Sequence, residues 1–343
     1  MRVAVLSPVW FPVPPAGYGG IEWIVSLLAD GLVDAGHDVT LFASGDSLTN
    51  ARLEAVYETA PSEWIGHTFW ELRHAVSCFA RAGDFDVISD HTGLLGLALG
   101  SMGPTPLAHT VHGPLSGEPG ALYAQIVSML PHAALIAVSD EQRRPEPDLP
   151  WVSTCRNALD LSVYPFVPER GEYLLFLGRM TADKGAHRAV AVALECGLPL
   201  KLAGKCREPL EQQYFDELVR PHLSDTIEYV GEVTHGEKVA LLQHARATLF
   251  PIEWDEPFGL VTIESMACGT PVIATRYGAV PEVVDDGVTG IVVDSWQQMG
   301  EALERADAID PLVQRRIVEE RFSPGRMVAD YVAAYEATIE RWA

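Results

Sequence analysis

The stretch Glu256–Thr275, EPFGLVTIESMACGTPVIAT, decides the fold. Pro257 and Gly259 punctuate its start, as residues of a loop do. Phe258 to Ala267 reads as an almost apolar helix, interrupted only by Thr262, Glu264 and Ser265. Cys268-Gly269-Thr270-Pro271 stops it, with Gly269 suited to the left-handed position just past a helix end. Val272 to Ala274 is short, β-branched and apolar, which suits a strand covered on both faces. An inward carboxylate on so apolar a helix is costly unless something partners it. Glu264 is therefore either paired structurally or aimed at a ligand. Glu256 precedes the same helix and can point to its N-terminal mouth.

The pattern extends in both directions. Upstream, Tyr173–Gly178, Leu200–Ala203, Ile227–Val230 and Thr248–Phe250 read as strands. Ala186–Glu195 and Glu208–Val219 read as helices between them, and Thr234 with Glu237 forms a capping-box signature before Val239–Leu242. Downstream, Gly290–Val293 is one more strand, Ser295 can cap a helix through Ala306, and the chain is helical from Pro324 on. Tyr164–Pro168, with two prolines and no charge, reads as a linker. Before it the same alternation runs once already. Strands are expected at Arg2–Pro8, Val39–Ala43, Val87–Ser89, Leu107–Val111, Ala134–Val138 and Val152–Thr154, with a helix over Ile21–Ala35. Residues 50–82 are less regular and rich in aromatics. Two successive sets of alternating strands and helices predict two doubly wound parallel-sheet domains facing each other across a cleft. Ligands in such folds sit at the carboxyl ends of the strands.

Composition sets the outer limits. The chain has 343 residues, about right for two domains. Its apolar runs fall short of the roughly 20 residues that cross a bilayer, and Met1-Arg2 leads straight into a strand rather than a signal peptide. Five scattered cysteines without CxxC spacing argue for a reducing compartment, the cytoplasm, and against a zinc site. The net charge is −23, and the first lysine of the chain is Lys184. Such a chain repels nucleic acid and anionic membrane surfaces, so neither is expected as a partner.

Several residues stand where chemistry would need them. Gly19-Gly20 follows the first strand and opens the first helix; it is either a plain turn or a place where backbone N–H groups meet an anion. The loop is not GxGxxG, so a dinucleotide fingerprint is absent. Arg179 and Lys184 flank the loop after the first strand of the second half. They are either solvated surface cations or the neutralising pair for a diphosphate. Glu256 and Glu264 are either a capping acid and a structural ion pair or acceptors for the hydroxyls of a sugar or ribose. His112, in AHTVHGP, holds a loop position after a buried strand, and a lone histidine is more often structural. Asp84-Phe85-Asp86 looks like a DxD metal motif but lacks a third ligand, and no metal is expected. Trp64, Phe69 and Trp70, with Trp10-Phe11, either pack in the core or stack on an acceptor's sugar or aglycone face.

Together these residues resemble retaining glycosyltransferase family 4. The run EPFGLVTIESMACGTPVIAT, then PEVVDDGVTGIVV over Pro281–Val293, is similar to the family's signature. GRMTADKG around Arg179 and Lys184, GGIE at Gly19–Glu22, HTVHG with His112, and Asn157–Asp160 follow in the family's order. The resemblance covers nearly the whole chain. It implies a GT-B fold: an acceptor domain over residues 1–162, a nucleotide-sugar domain over 163–322, and a C-terminal helix over 323–343 crossing back. It implies that Arg179 and Lys184 hold the diphosphate and that Gly19 and Gly20 close on it. By the same resemblance Glu264 binds the ribose, while Glu256, with the backbone of Phe258, Gly259 and Leu260, orients the donor sugar. His112 then lies beside the anomeric centre. Nucleobase contacts fall at Gly204, Lys205, Gly231, Glu232 and Val233, and Trp10, Trp64 and Trp70 become acceptor residues. Ser265 stands where alanine is common and Arg276-Tyr277-Gly278-Ala279 where a Gly-Gly pair is common; both bear on sugar specificity.

The expected activity is transfer of a sugar from a nucleoside-diphosphate sugar, UDP favoured, to a hydroxyl of a small-molecule or oligosaccharide acceptor. No cofactor is required beyond that co-substrate. The N-terminal half looks most like members of antibiotic pathways of the avilamycin-type oligosaccharide kind. A nucleotide-sugar 2-epimerase of the same fold, a lipid or glycan mannosyltransferase of the same family, and a non-catalytic nucleotide-sugar sensor are the competing readings.

Overall fold

The structure is a computed structural model that describes residues 1–100, 102–130 and 132–342. The chain divides into two compact units. One holds residues 1–158 together with the C-terminal segment from Pro324, the other Leu159–Ser323.

In the N-terminal unit the order is β1 (Arg2–Leu6), α1 (Gly20–Asp34), β2 (Asp38–Phe42), β3 (Arg52–Glu54), α2 (Thr68–Phe79), β4 (Val87–Asp90), α3 (Leu94–Gly100), β5 (Leu107–Thr110), α4 (Glu118–Ser128), β6 (Ala134–Ala137), α5 (Asp140–Arg143) and β7 (Trp151–Thr154). Its seven strands are parallel in the order β3-β2-β1-β4-β5-β6-β7. β1, β4, β5 and β6 are buried on both faces because helices cover both.

The C-terminal unit repeats the scheme with β8 (Tyr173–Leu177), α6 (Ala186–Cys196), β9 (Leu200–Ala203), α7 (Pro209–Leu218), β10 (Ile227–Gly231), α8 (His235–Gln243), β11 (Ala245–Phe250), α9 (Leu260–Cys268), β12 (Val272–Thr275), α10 (Val280–Val283), β13 (Gly290–Val293), α11 (Leu303–Asp307) and α12 (Pro311–Arg321). Its six parallel strands run β10-β9-β8-β11-β12-β13. The last helix, α13 (Pro324–Trp342), packs in the N-terminal unit against α1, β4, β5, β6 and β7. Gly31 of α1 admits it: a Cβ there would lie 2.5 Å from Val328. In each sheet the strand order reverses beside the first strand, between β1 and β4 and between β8 and β11. Those switch points are where ligands bind in this class of fold.

Four local expectations need correction. Residues 68–79 form a regular helix, α2. Its buried face is His74, Ala75 and Cys78, while Phe69 and Val76 are exposed, so the apolar spacing does not mark the core side. The helix of the opening stretch starts at Leu260, because Gly259 is held at φ 86° outside helical space. The run after Ser295 is broken: a single 3-10 turn at Trp296–Gln298, capped by Ser295, precedes α11, with Gly300, a weak helix former, between them. Tyr164–Pro168 is not a free linker. Tyr164 is 3% exposed, and Val167 N–H donates to the Cys268 carbonyl at the end of α9.

Candidate functional site

The predicted donor residues of the second half emerge from four neighbouring strand ends. Arg179 and Lys184 follow β8, Gly204 and Lys205 follow β9, Glu232 and Val233 follow Gly231 at the end of β10, and Glu256 lies between β11 and α9. Glycine is required where these loops meet. A Cβ on Gly204, at φ 146°, would lie 1.9 Å from the Gly178 carbonyl oxygen. Gly204 N–H donates to the Gly231 carbonyl at 2.8 Å, so the three strand ends are stitched together.

At the switch point the Lys184 ammonium donates to Glu256 Oε2, with Glu256 only 9% exposed. The same ammonium lies 4.4 Å from the Trp254 ring centroid, a cation–π contact. Glu256 is fixed by its own backbone: Ala279 N–H donates to its carbonyl at 2.9 Å. Gly278, at φ 51°, lets the Arg276–Ala279 loop lie against it, since a Cβ there would be 2.3 Å from the Glu256 carbonyl oxygen. Arg188 reaches the Pro251 carbonyl at 2.9 Å and the Glu253 carboxylate at 2.5 Å, holding the loop that leads to Glu256. Among the described residues no acceptor lies within hydrogen-bonding reach of the half-buried Arg179 guanidinium.

Glu264, 6% exposed on α9, is partnered. Its Oε1 accepts from the Lys238 ammonium at 2.5 Å and from the Tyr164 hydroxyl at 2.7 Å. Burial, with the carboxylate adding to it, pushes the Tyr164 hydroxyl well above its ordinary range, so it stays a donor. Oε2 has no donor among the described residues. Lys238 and Tyr164 are the residues that sequence reasoning missed. Lys238 follows the capping box by one residue, where a lysine is ordinarily solvated, and Tyr164 stands in an apparent linker.

Other predicted residues are placed differently. The Lys205 ammonium is turned onto Glu208 and 3.9 Å from Glu211, at the start of α7. Glu232 pairs with Arg207 at 2.8 Å. The Phe258 ring is core, set against Phe322 at 5.8 Å, so only its backbone faces outward chemistry.

In the N-terminal unit Gly19, at φ 142°, is the N-cap of α1 and offers no side chain to its first N–H groups. His112 follows β5. Its Nε2 lies 3.0 Å from His91 Nδ1, and burial with the neighbouring His109 holds it at about 3, neutral at ordinary pH. Gln142 brackets its peptide, donating to the carbonyls of Val111 and Gly113 at 2.8 Å each. Trp64 and Trp70 stack at 5.7 Å and 16°, and Ser62 ties their segment to the Trp10 carbonyl at 2.6 Å. Trp64 is exposed, 40%, rather than core. Asp86 and Asp84 are engaged by Arg2 and Arg81. Among the described residues no three His, Cys, Asp or Glu side chains gather as a metal site, and no helix is long and apolar enough to cross a membrane.

Two parallel-sheet units with basic and acidic groups at the switch point of the second define a class. Residues 165–321 match the family Glycosyl transferases group 1, and residues 18–145 match Glycosyltransferase Family 4. The chain is a glycosyltransferase of the GT-B type, a family 4 domain followed by a group 1 domain. Among characterised relatives, a glycogen synthase of Mycobacterium tuberculosis is 27% identical over 85% of this chain and 82% of its own. The solved structure of AviGT4, a glycosyltransferase involved in avilamycin A biosynthesis, is 26% identical, with a TM-score of 0.73 over 99% of this chain and 98% of that one. Anabaena HepE, solved with UDP and glucose, shares the fold at 18% identity and a TM-score of 0.76, over 97% and 98% of the two chains.

Proposed function

We propose that the chain is a retaining glycosyltransferase. It moves a sugar from a nucleoside-diphosphate sugar, UDP first among the candidates, to a hydroxyl of a small-molecule or oligosaccharide acceptor. The observation that carries this reading is the charge arrangement at the second switch point: Arg179 is unmatched among the described residues, and Lys184 is matched only by Glu256. A half-buried guanidinium without an acceptor, at the carboxyl end of a strand, is suited to a diphosphate. An arriving diphosphate competes with Glu256 for the Lys184 ammonium, and the released carboxylate accepts from the hydroxyls of the sugar. The backbone N–H groups of Phe258, Gly259 and Leu260, at the start of α9, orient the donor sugar together with Glu256. Glu264 takes the ribose through Oε2, while Lys238 and Tyr164 hold Oε1. Gly204, Lys205, Gly231, Glu232 and Val233 border the base, His112 the anomeric carbon, and Gly19-Gly20 adds backbone donors to the phosphates.

In the reaction the bond from the anomeric carbon to the β-phosphate oxygen breaks, and its electron pair stays with the phosphate. Arg179 and Lys184 neutralise the charge that develops there. The acceptor oxygen bonds to the anomeric carbon from the same face, and its proton passes to the departing phosphate oxygen. The two cations supply the positive charge in this scheme without a metal. A covalent glycosyl adduct trapped on Glu256 would overturn it.

The similarity to AviGT4 supports an antibiotic oligosaccharide as acceptor, and the stacked Trp64 and Trp70 suit a sugar face. The cytoplasm is the proposed setting. A thermal-shift screen of UDP, GDP, ADP and dTDP tests the donor class, since a ligand of the native state raises its melting temperature. One of the four is expected to do so, and no shift with any overturns the reading. Nucleotide release only in the presence of an acceptor separates transfer from 2-epimerisation.

A further inference from the structure

Tyr335, Ser89, His91 and His112 form one line of hydrogen bonds in the N-terminal unit. The Tyr335 hydroxyl on α13 donates to Ser89 Oγ on β4 at 2.7 Å. Ser89 Oγ lies 2.9 Å from His91 Nε2, and His91 Nδ1 lies 3.0 Å from His112 Nε2. Tyr335, Ser89 and His91 are 0% exposed, while His112 is a half-buried residue.

The direction of this line follows from counting protons. A serine hydroxyl has one proton. Ser89 already accepts from Tyr335, and its acceptor in reach is His91 Nε2. His91 then carries its single proton on Nδ1 and donates it to His112 Nε2. That leaves the proton of His112 on Nδ1, for which the described residues provide no acceptor. Both rings are neutral: burial first, then the neighbouring histidines, hold His91 well below its usual value, and His112 sits at about 3. The other groups around them do not break the line. Asp90 is taken by His109 and Thr92, His109 Nε2 by Tyr123, and the Tyr331 ring lies against His91 at 5.7 Å.

We propose that Tyr335, Ser89 and His91 are positioning residues that fix His112 as the Nδ1–H tautomer, a hydrogen-bond donor to an oxygen of the transferred sugar. This rests on the placement of His112 at the donor sugar proposed above. Its consequence is specific. The Nε2 lone pair of His112 is occupied by His91, so His112 is neither a base nor a nucleophile. That removes His112 as a base for the acceptor's proton and agrees with the phosphate-oxygen route proposed above.

The experiment is nitrogen-15 NMR of the full chain labelled at histidine, with His112 assigned by its loss in His112→Asn. The wild-type protein is expected to show His112 protonated on Nδ1 and unprotonated on Nε2, unchanged from pH 8 to pH 5. His91→Asn keeps a donor where Nδ1–H was and is expected to keep that tautomer. His91→Asp, nearly the same shape, puts an acceptor there and is expected to reverse it. Binding of UDP-glucose and of UDP then separates positioning from mere packing. His91→Asp weakens UDP-glucose by about 10-fold, the worth of one hydrogen bond, and leaves UDP alone. Ser89→Ala, a milder change, is expected to give a mixture of tautomers if His91→Asp does not fold. A wild-type proton on Nε2, or the same tautomer in both His91 variants, overturns the inference. The expected tautomers with no difference between UDP-glucose and UDP overturn instead the placement of His112 at the sugar.

Discussion

At the carboxyl end of the second sheet, the buried carboxylates face cations: Glu256 has Lys184 and Glu264 has Lys238, and the exposed Glu253 takes the buried Arg188. At the same end of the first sheet the line from Tyr335 through Ser89 and His91 to His112 carries no ion pair, and the buried carboxylate beside it, Asp90, is bonded to His109 and Thr92 rather than to a lysine or arginine. The two ends share one topology and hold polarity in different forms. Buried ion pairs are weak devices for stability, because desolvation offsets much of their attraction. Their presence around one switch point makes sense where the ligand is itself an anion with hydroxyls and can exchange partners with them. A line of neutral dipoles suits a fixed donor to a neutral oxygen. The composition follows the same division, since the first lysine of the chain is Lys184.

The largest expected effect comes from splitting the pair at the second switch point. Lys184→Ala leaves the Glu256 carboxylate buried without its cation, and breaking a buried pair costs about 3–5 kcal/mol. Nucleotide binding is lost with it. Arg179→Ala removes a cation that has no partner among the described residues, so stability is expected to hold. Its loss appears in UDP affinity, about 10- to 100-fold, as for a charge-assisted hydrogen bond. Urea melts paired with calorimetric titration of UDP read both. If the two variants unfold alike, the division between a structural and a waiting cation is wrong.

Acid is expected to strike the histidine end. Burial holds His74 at about 4 and His112 at about 3, below the ordinary value of 6.5. Below pH 6.5 the unfolded chain takes up protons that the folded unit refuses, so stability is lost as pH falls from about 6.5 to about 4. His74 alone accounts for about 3 kcal/mol, because each pH unit across that interval is worth about 1.4 kcal/mol. Urea melts of wild type and His74→Gln at pH 7.5, 5.5 and 4.5 check this. A variant with an undiminished acid slope would remove His74 from the account.

Glu22 runs the other way. It is 4% exposed in the first turn of α1, and burial raises it to about 7 from 4.5. Below pH 4.5 both states hold the proton. Between 4.5 and 7 the folded state holds it more tightly, so this contribution is lost as pH rises through 7. Glu22→Gln is therefore expected to stabilise the protein at pH 8.5, by up to about 3 kcal/mol, and to change little at pH 4.5. Equal effects at both pH values would place the carboxylate in a charged contact.

The sequence made the strands legible, all but the short edge strand β3, because a parallel strand covered on both faces is an unbroken apolar run, as in VAVL and ALIA, whereas β3 is exposed to partly buried. It made Arg179, Lys184, Glu256 and Glu264 legible because they punctuate loops between such runs or interrupt an apolar helix. It did not show α2, whose exposed face carries Phe69 and Val76, nor His91, whose importance lies in a hydrogen bond to a residue 21 positions away. Lys238 and Tyr164 were hidden for the same reason: they meet Glu264 across 26 and 100 positions of sequence. Spacing reports what one element presents and says nothing about which loop it meets.

The smallest effect separates the ligand side of α9 from its core side. Ser265 stands where the family resemblance leads one to expect alanine, a departure that bears on sugar specificity. The structure turns its hydroxyl inward: it donates to the Thr270 carbonyl at 2.9 Å and lies 2.7 Å from Thr248 Oγ1 on β11, at 0% exposure. Ser265 is a stitch between the helix, its closing turn and the sheet. Ser265→Ala is expected to cost about 1 kcal/mol, the net worth of a buried hydrogen bond, and to leave the choice of donor sugar unchanged. Glu264, one residue earlier, points its carboxylate at Lys238 and Tyr164, so two adjacent residues of one helix serve different neighbours. Competition assays with several UDP-sugars, run beside a urea melt, distinguish the two roles. A shift in sugar preference with no loss of stability would put Ser265 on the ligand's side of the helix and dissolve that boundary.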